Sequence, residues 1–133
     1  MTNDIGIEVI DLRDATFDQW LDCILENYKI ETFAFNFNIY DHKNCLFSVE
    51  LIGSPVFDIN DDDWASEEVY ASRDHYTMFE YYCPERDLAL DRITRMIMQY
   101  IAKGDYARVL KRAHAIALGF IDGDLRVLLH DED

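Results

Sequence analysis

Residues 32–52 read TFAFNFNIYDHKNCLFSVELI, and this stretch decides the fold. In its first half, apolar residues alternate with smaller or polar ones, a period of two that is typical of a strand with one buried face. The apolar positions are Phe33, Phe35, Phe37 and Ile39. Asp41-His42-Lys43-Asn44 forms a polar turn, and residues 45–52 read as the returning strand. The stretch therefore predicts a β-hairpin.

Helical patterns flank this hairpin on both sides. Thr16 and Gln19 have the spacing of a capping box, and an apolar stripe at helical spacing follows them. After the hairpin, Pro84 predicts the first residue of a second helix, which ends at Lys103-Gly104. Asp105 is the predicted cap of a third, shorter helix.

Further strands complete the pattern. We predict a short first strand at residues 5–9 and another within residues 76–82. Residues 115–121 and 124–129 flank Asp122-Gly123, a dipeptide that is typical of two-residue hairpin turns. The predicted fold is a single α+β domain over residues 1–133, in which about three helices pack on an antiparallel sheet of hairpins.

The composition limits the classes of partner. The 133 residues include 27 acidic and 12 basic side chains, which gives a net charge of −15 at pH 7. This charge repels nucleic acids, acidic substrates and anionic membranes, so we expect none of them as a partner. No secretory signal is visible, and no apolar run reaches the roughly 18 residues of a membrane span. The three cysteines form no C-x-x-C pair. We expect a reduced, cytoplasmic protein without a cofactor or a metal.

The negative charge is concentrated in one segment. Residues 58–68 read DINDDDWASEE and hold six carboxylates without a base. A cationic partner would relieve the mutual repulsion of these groups. The predicted partner-binding residues are Asp58, Asp61, Asp62, Asp63, Trp64, Glu67 and Glu68.

Trp64 has two interpretations within this segment. If it is exposed, it supplies the aromatic anchor that is typical of an interface hot spot. If it is turned inward, it fills the core, and the carboxylates around it form a solvated loop. The sequence leaves both interpretations open.

The same segment partly matches the calcium-binding loop of an EF-hand. Asp58, Asn60 and Asp62 occupy the first, third and fifth ligand positions. However, Asp63 replaces the required glycine at the sixth position, and Val69 replaces the glutamate at the twelfth. The sequence therefore does not predict an EF-hand, although nonspecific binding of divalent cations by the clustered carboxylates stays an alternative.

Candidate catalytic groups are few. His75 lies near acidic and aromatic residues and is the best candidate for acid–base chemistry, as in a small hydrolase or transferase. The alternative is a polar residue where a loop joins a strand. Cys83, next to Pro84, would lie at a helix N-terminus, where a thiolate is stabilised. A buried and inert cysteine is the interpretation that we favour.

Residues 92–112 form a basic stretch within the acidic chain. Residues 92–121 carry six bases and one acid, and the stretch ends at Arg112. Because the rest of the chain would repel a polyanion, we predict that these bases pair with the protein's own acids. Asp91 and Arg95 have the i, i+4 spacing for such a pair.

Two short segments resemble sequence segments found in bacterial immunity proteins. They are residues 63–70, DWASEEVY, and residues 119–125, GFIDGDL. The chain also resembles them in size, charge and architecture, and the resemblance assigns no functional residue. Immunity proteins neutralise polymorphic or contact-dependent toxins, many of which are basic nucleases. The resemblance implies a non-catalytic inhibitor that binds a basic toxin through its acidic surface. The alternatives are a DNA mimic that inhibits a DNA-binding protein, or the small enzyme built around His75.

Overall fold

The computed structural model describes residues 9–131. Its helices are α1 (Phe17–Glu26), α2 (Arg86–Lys103) and α3 (Ala107–Lys111). Its strands are β1 (Ala34–Asp41), β2 (Leu46–Ser54), β3 (Tyr70–Ala71), β4 (Phe79–Tyr82), β5 (Ala115–Phe120) and β6 (Arg126–His130). Two 3₁₀ helices, Asp62–Ser66 and Ser72–Asp74, lie between β2 and β4. The α+β prediction is confirmed.

The six strands form one mixed sheet in the order β3-β2-β1-β5-β6, and β4 pairs with the other end of β2. The predicted wholly antiparallel sheet is wrong at one point, because β1 and β5 run parallel. The connection between β1 and β5 passes through β2, β3, β4, α2 and α3, which is the long crossover that parallel strands need. All six residues of β5 are buried, as expected of a strand that is covered on both faces.

The predicted hairpin is confirmed, and its register decides which side chains share a face. Ala34 lies opposite Ser54 and Asp41 opposite Phe47 along the antiparallel ladder of β1 and β2. Phe35, Phe37 and Ile39 pack with α1 and α2 in the main core, on what we call the inner face. Phe33 departs from the prediction, because it lies before β1, is 40% exposed and stacks on His114.

Several predicted boundaries move. The capping box of Thr16 and Gln19 is present at α1. In contrast, α2 begins two residues after Pro84, because Glu85 is still extended and acts as the N-cap. Tyr106 rather than Asp105 is the N-cap of α3. The predicted first strand at residues 5–9 lies outside the described residues except for Val9.

The hairpin of β5 and β6 is confirmed, but its predicted two-residue turn is wrong. Five residues, 121–125, separate the two strands. A two-residue Asp-Gly turn needs positive φ at both positions, and in the described chain only Lys43, Asn44 and Cys45 have it. The longer loop folds back over β5 at Gly119, where a Cβ atom would lie 2.7 Å from the carbonyl oxygen of Asp124. Glycine is therefore required for this close approach.

The opposite side of the sheet, the outer face, differs in character from the inner face. By register, Ala34, Asn36, Asn38 and Tyr40 of β1 lie on it, beside Glu50 of β2. A small second core of Ala34, Trp64, Ala115 and Ala117 covers one end of this face. Within residues 9–131, no helix has the length and apolar character that crossing a membrane requires.

Candidate acidic binding surface

Trp64 fixes the acidic segment to the outer face. Its side chain is only 3% exposed and packs against Ala34, Ala115 and Ala117, whose small side chains leave room for the indole. Phe57 meets it edge-on, with the ring centroids 5.2 Å apart. The Ser54 hydroxyl also donates a 2.9 Å hydrogen bond to the Trp64 carbonyl oxygen. The exposed-anchor interpretation is therefore wrong, and Trp64 fills the core.

The carboxylates around Trp64 point away from this core. Asp58, Asp61, Asp63 and Glu67 are exposed and make no salt bridge with any residue from 9 to 131. Asp58 and Asp61 accept hydrogen bonds from backbone amides two residues ahead and so hold the loop in its turns. The segment thus presents its charge on a backbone with a defined shape.

The two remaining predicted carboxylates connect the segment to the rest of the domain. Asp62 Oδ2 accepts a 3.0 Å hydrogen bond from the Leu125 backbone amide in the loop between β5 and β6. Glu68 forms a salt bridge with Arg73 at 2.8 Å. All seven predicted residues therefore lie together, six as surface groups and Trp64 as their support.

A buried polar network on the outer face was not predicted. Glu50 is fully buried, and its carboxylate accepts hydrogen bonds from Arg73 at 2.9 Å, from Asn38 at 3.1 Å and from the Tyr40 hydroxyl. The hydrogen bonds to Glu68 and Glu50 raise the pKa of Arg73 above its ordinary value. The sequence signal that could have predicted this network is the alternation along β1 and β2, which places these polar residues on the face of the sheet opposite the apolar ones.

Tyr40 gives this network a measurable pH dependence. Burial and the hydrogen bond to Glu50 raise the pKa of Tyr40 from about 10 to about 12. Because the folded state favours the neutral phenol, its contribution is complete below pH 10 and is lost as the pH rises toward 12. We expect an ultraviolet phenolate step near pH 12 that Tyr40→Phe lowers by the absorbance of one tyrosine. Tyr82→Phe, at an exposed site, is the control and should leave that step in place.

A cleft of about 340 Å³ opens where the acidic segment meets the sheet. Asn36 and Asn38 form part of its floor, and Asp62, Asp63 and Glu68 lie along one wall. The opposite wall is the loop between β5 and β6. Within the part of the chain described, the lining includes three carboxylates and no basic side chain. We call this feature the acidic cleft.

Metal binding by the segment finds no support in the geometry. Among residues 9–131, no group of three or more His, Cys, Asp or Glu side chains is arranged to hold a metal ion. The carboxylates that partly matched an EF-hand are used in turns or in the contact with Leu125.

The two candidate catalytic residues lie elsewhere. His75 is exposed, stacks on Tyr70 at 5.5 Å and lines an open groove of about 330 Å³. That groove has no acidic residue in its lining, and the His75 imidazole has no hydrogen-bond partner within residues 9–131. Cys83 is 2% exposed, and its Sγ lies 3.6 Å from the Glu85 carbonyl oxygen. Its thiol is therefore shielded from substrates.

The basic stretch does not pair with the protein's own acids as predicted. No base of residues 92–112 forms a salt bridge within the described part, and Asp91 pairs with Arg126 instead of Arg95. The reason is the fold, because α2 packs on the inner face whereas the acidic segment covers the outer face. The sheet thus separates the acidic segment from α2.

Comparison of the chain with protein-family models, with curated proteins and with solved structures finds no match in any of the three.

Proposed function

We propose that this protein is a non-catalytic inhibitor of the immunity type, which binds a basic toxin through residues 58–68. The observation that carries the proposal is a contrast within the acidic segment. Trp64 and Ser54 fix its backbone to the sheet, while Asp58, Asp61, Asp63 and Glu67 have no ionic partner among the described residues. A segment that is held in place with unpaired charges is suited to binding a cation-rich surface.

The proposed mechanism is electrostatic occlusion. The negative potential of the outer face accelerates encounter with a positively charged protein. Because the loop is already ordered, binding costs little conformational entropy. A toxin that uses a basic groove to bind nucleic acid is then blocked by the carboxylates that occupy the groove. Because the sheet separates the basic stretch from this surface, the bases of α2 do not neutralise the charge of the acidic segment.

Affinity capture from the native host identifies the partner. Reconstitution with the purified partner then tests whether residues 58–68 are the binding site. We expect a basic protein that is retained at low salt, is released at high salt and loses its toxic activity in the complex. Replacing Asp61, Asp62 and Asp63 with lysine should weaken the reconstituted complex about 100-fold and flatten its salt dependence. Titration calorimetry at several salt concentrations measures both effects.

A matched control distinguishes the effect of the charge of residues 58–68 from the effect of the protein's net charge. Asp14, Asp18 and Glu26 are exposed near or on α1, and their replacement with lysine gives the same change in net charge. We expect this control to weaken binding only slightly at moderate salt. If both triple variants lose affinity equally, residues 58–68 are not the binding site. Capture of a DNA-binding protein that has no toxic activity would favour the DNA-mimic alternative.

A further inference from the structure

We infer that the acidic cleft is a receptor for one arginine side chain of the bound protein. This inference rests on the proposed function, because it names the group that the acidic surface recognises. It is carried by an independent observation. The Oδ1 atom of Asn36, a residue with no exposed surface, has no hydrogen-bond partner in the described structure. A buried amide oxygen without a protein partner can accept a hydrogen bond from a bound donor.

The surrounding strands explain why Asn36 Oδ1 finds no donor within the sheet. On the outer face its neighbours by register are Ile52 of β2 and Ala117 of β5, and neither side chain carries a polar group. Its own strand offers only Asn38, which already accepts a 2.7 Å hydrogen bond from Asn36 Nδ2. The sheet therefore supplies no donor for Asn36 Oδ1.

The polarity of the network determines that Asn36 presents an acceptor rather than a donor at its free end. The Glu50 carboxylate can only accept, so Asn38 turns its Nδ2 toward Glu50. Asn38 then presents its Oδ1 to Asn36, which must turn its own Nδ2 toward Asn38. Glu50 thus fixes the orientation of the Asn38 amide, which in turn fixes that of Asn36. This series of hydrogen bonds ends at the Asn36 Oδ1 atom.

The wall of the cleft specifies that the donor is cationic. Asp63 has no side-chain hydrogen-bond partner within residues 9–131, and Asp62 uses Oδ2 for Leu125 and leaves Oδ1 available. Ile121, which is 58% exposed, offers apolar surface at the opposite side. A group that enters between these residues meets carboxylates on one side and the Asn36 amide below.

A guanidinium matches this set of groups better than a metal ion or an ammonium. No metal-ligating cluster exists in the described chain. Guanidinium carries five N–H donors in one plane, so it can serve two carboxylates and the amide oxygen together, and its aliphatic stem can lie on Ile121. An ammonium is compact and strongly hydrated, so stripping its water at a buried amide is more costly.

Titration with N-acetyl-L-arginine amide, followed by NMR of the side-chain amides, tests the site directly. We expect saturable shifts of the Asn36 and Asn38 side-chain signals with a dissociation constant on the order of millimolar, as for one isolated side chain. N-acetyl-L-lysine amide should bind more weakly, and N-acetyl-L-citrulline amide, which has no charge, should cause no shift.

Two matched variants locate the site within the acidic segment. Asp63→Asn should weaken binding of the arginine amide about fivefold, because it removes a charged acceptor from the wall. Asp18→Asn makes the same chemical change at an exposed position on α1, outside the acidic segment, and should leave the affinity unchanged. Asn36→Leu should abolish binding, and since Asp63 is exposed, its variant keeps the test valid even if Asn36→Leu fails to fold.

The results that would contradict the cleft proposal differ from those that would contradict the proposed function. Equal weakening by Asp63→Asn and Asp18→Asn, or an equal response to the citrulline amide, would overturn the proposal that the cleft binds arginine. One outcome is that the arginine amide fails to bind while the lysine variant of Asp61, Asp62 and Asp63 still loses affinity for a basic partner. In that case the cleft proposal is wrong and the proposed function stands. If the amide binds but no basic protein is retained, the ligand is a free guanidinium compound, and the inference of a partner side chain fails.

Discussion

Replacing Trp64 with alanine should lower the free energy of unfolding by about 3–5 kcal/mol, the usual cost of truncating a large core side chain. Trp64 is 3% exposed and is the largest member of the outer-face core. Its neighbours there are alanines on β1 and β5, which are too short to fill the space that the indole leaves. Denaturant unfolding followed by circular dichroism measures the loss.

The same substitution should also release the acidic segment. Without the indole, residues 58–68 keep only polar contacts with the rest of the domain, through Ser54, Leu125 and Arg73. We therefore expect faster backbone hydrogen exchange in this segment than elsewhere. Partner affinity should fall as well, because the loop must be ordered on binding. Trp64→Phe should retain most of the stability. Ile59→Ala, at an exposed apolar position in the same segment, is the control. A change below 1 kcal/mol for Trp64→Ala would show that the indole does not support the loop.

The features that could be predicted from the sequence depend on neighbouring residues. The alternation from Phe35 to Ile39 determines the inner face of β1, and Thr16 with Gln19 determines where α1 begins, because both patterns act within a few residues. The acidic segment could be recognised in the same way, since six carboxylates within residues 58–68 need no tertiary information to be found.

The features that could not be predicted depend on contacts between distant residues. Whether Trp64 points inward is decided by the alanines of β1 and β5, which are far from it in sequence. The parallel pairing of β1 with β5 joins residues about eighty positions apart, and local turn signals carry no information about it. The orphaned Asn36 oxygen likewise results from apolar neighbours that β2 and β5 supply.

The network beneath the acidic segment is held together by one cation. Arg73 joins the fully buried Glu50 to Glu68 on the surface, with N–O distances of 2.9 Å and 2.8 Å. Glu50 also fixes the direction of the hydrogen bonds that reach Asn36. Arg73 therefore stabilises the sheet and at the same time maintains the floor of the acidic cleft.

Arg73→Met should lower the free energy of unfolding by about 2 kcal/mol, because it keeps much of the aliphatic stem but leaves Glu50 as a buried charge without a cation. Breaking a fully buried pair costs more, and the figure is reduced here because the Arg73 side chain is 39% exposed and solvent screens part of the interaction. Denaturant unfolding at neutral pH measures the loss.

A second substitution distinguishes the cost of leaving Glu50 as an unpaired charge from the cost of losing the packing of the Arg73 side chain. In the double variant Arg73→Met with Glu50→Gln, position 50 is neutral and its amide oxygen still accepts from Tyr40 and Asn38, so we expect more than half of the loss to be recovered. Arg13→Met removes the partner of Asp11 in an exposed salt bridge and should leave the unfolding midpoint unchanged. If the double variant is no more stable than Arg73→Met alone, Arg73 acts through packing. The Asn36 amide would then keep its orientation without the ion pair, and the arginine amide would bind the single variant as tightly as the natural protein.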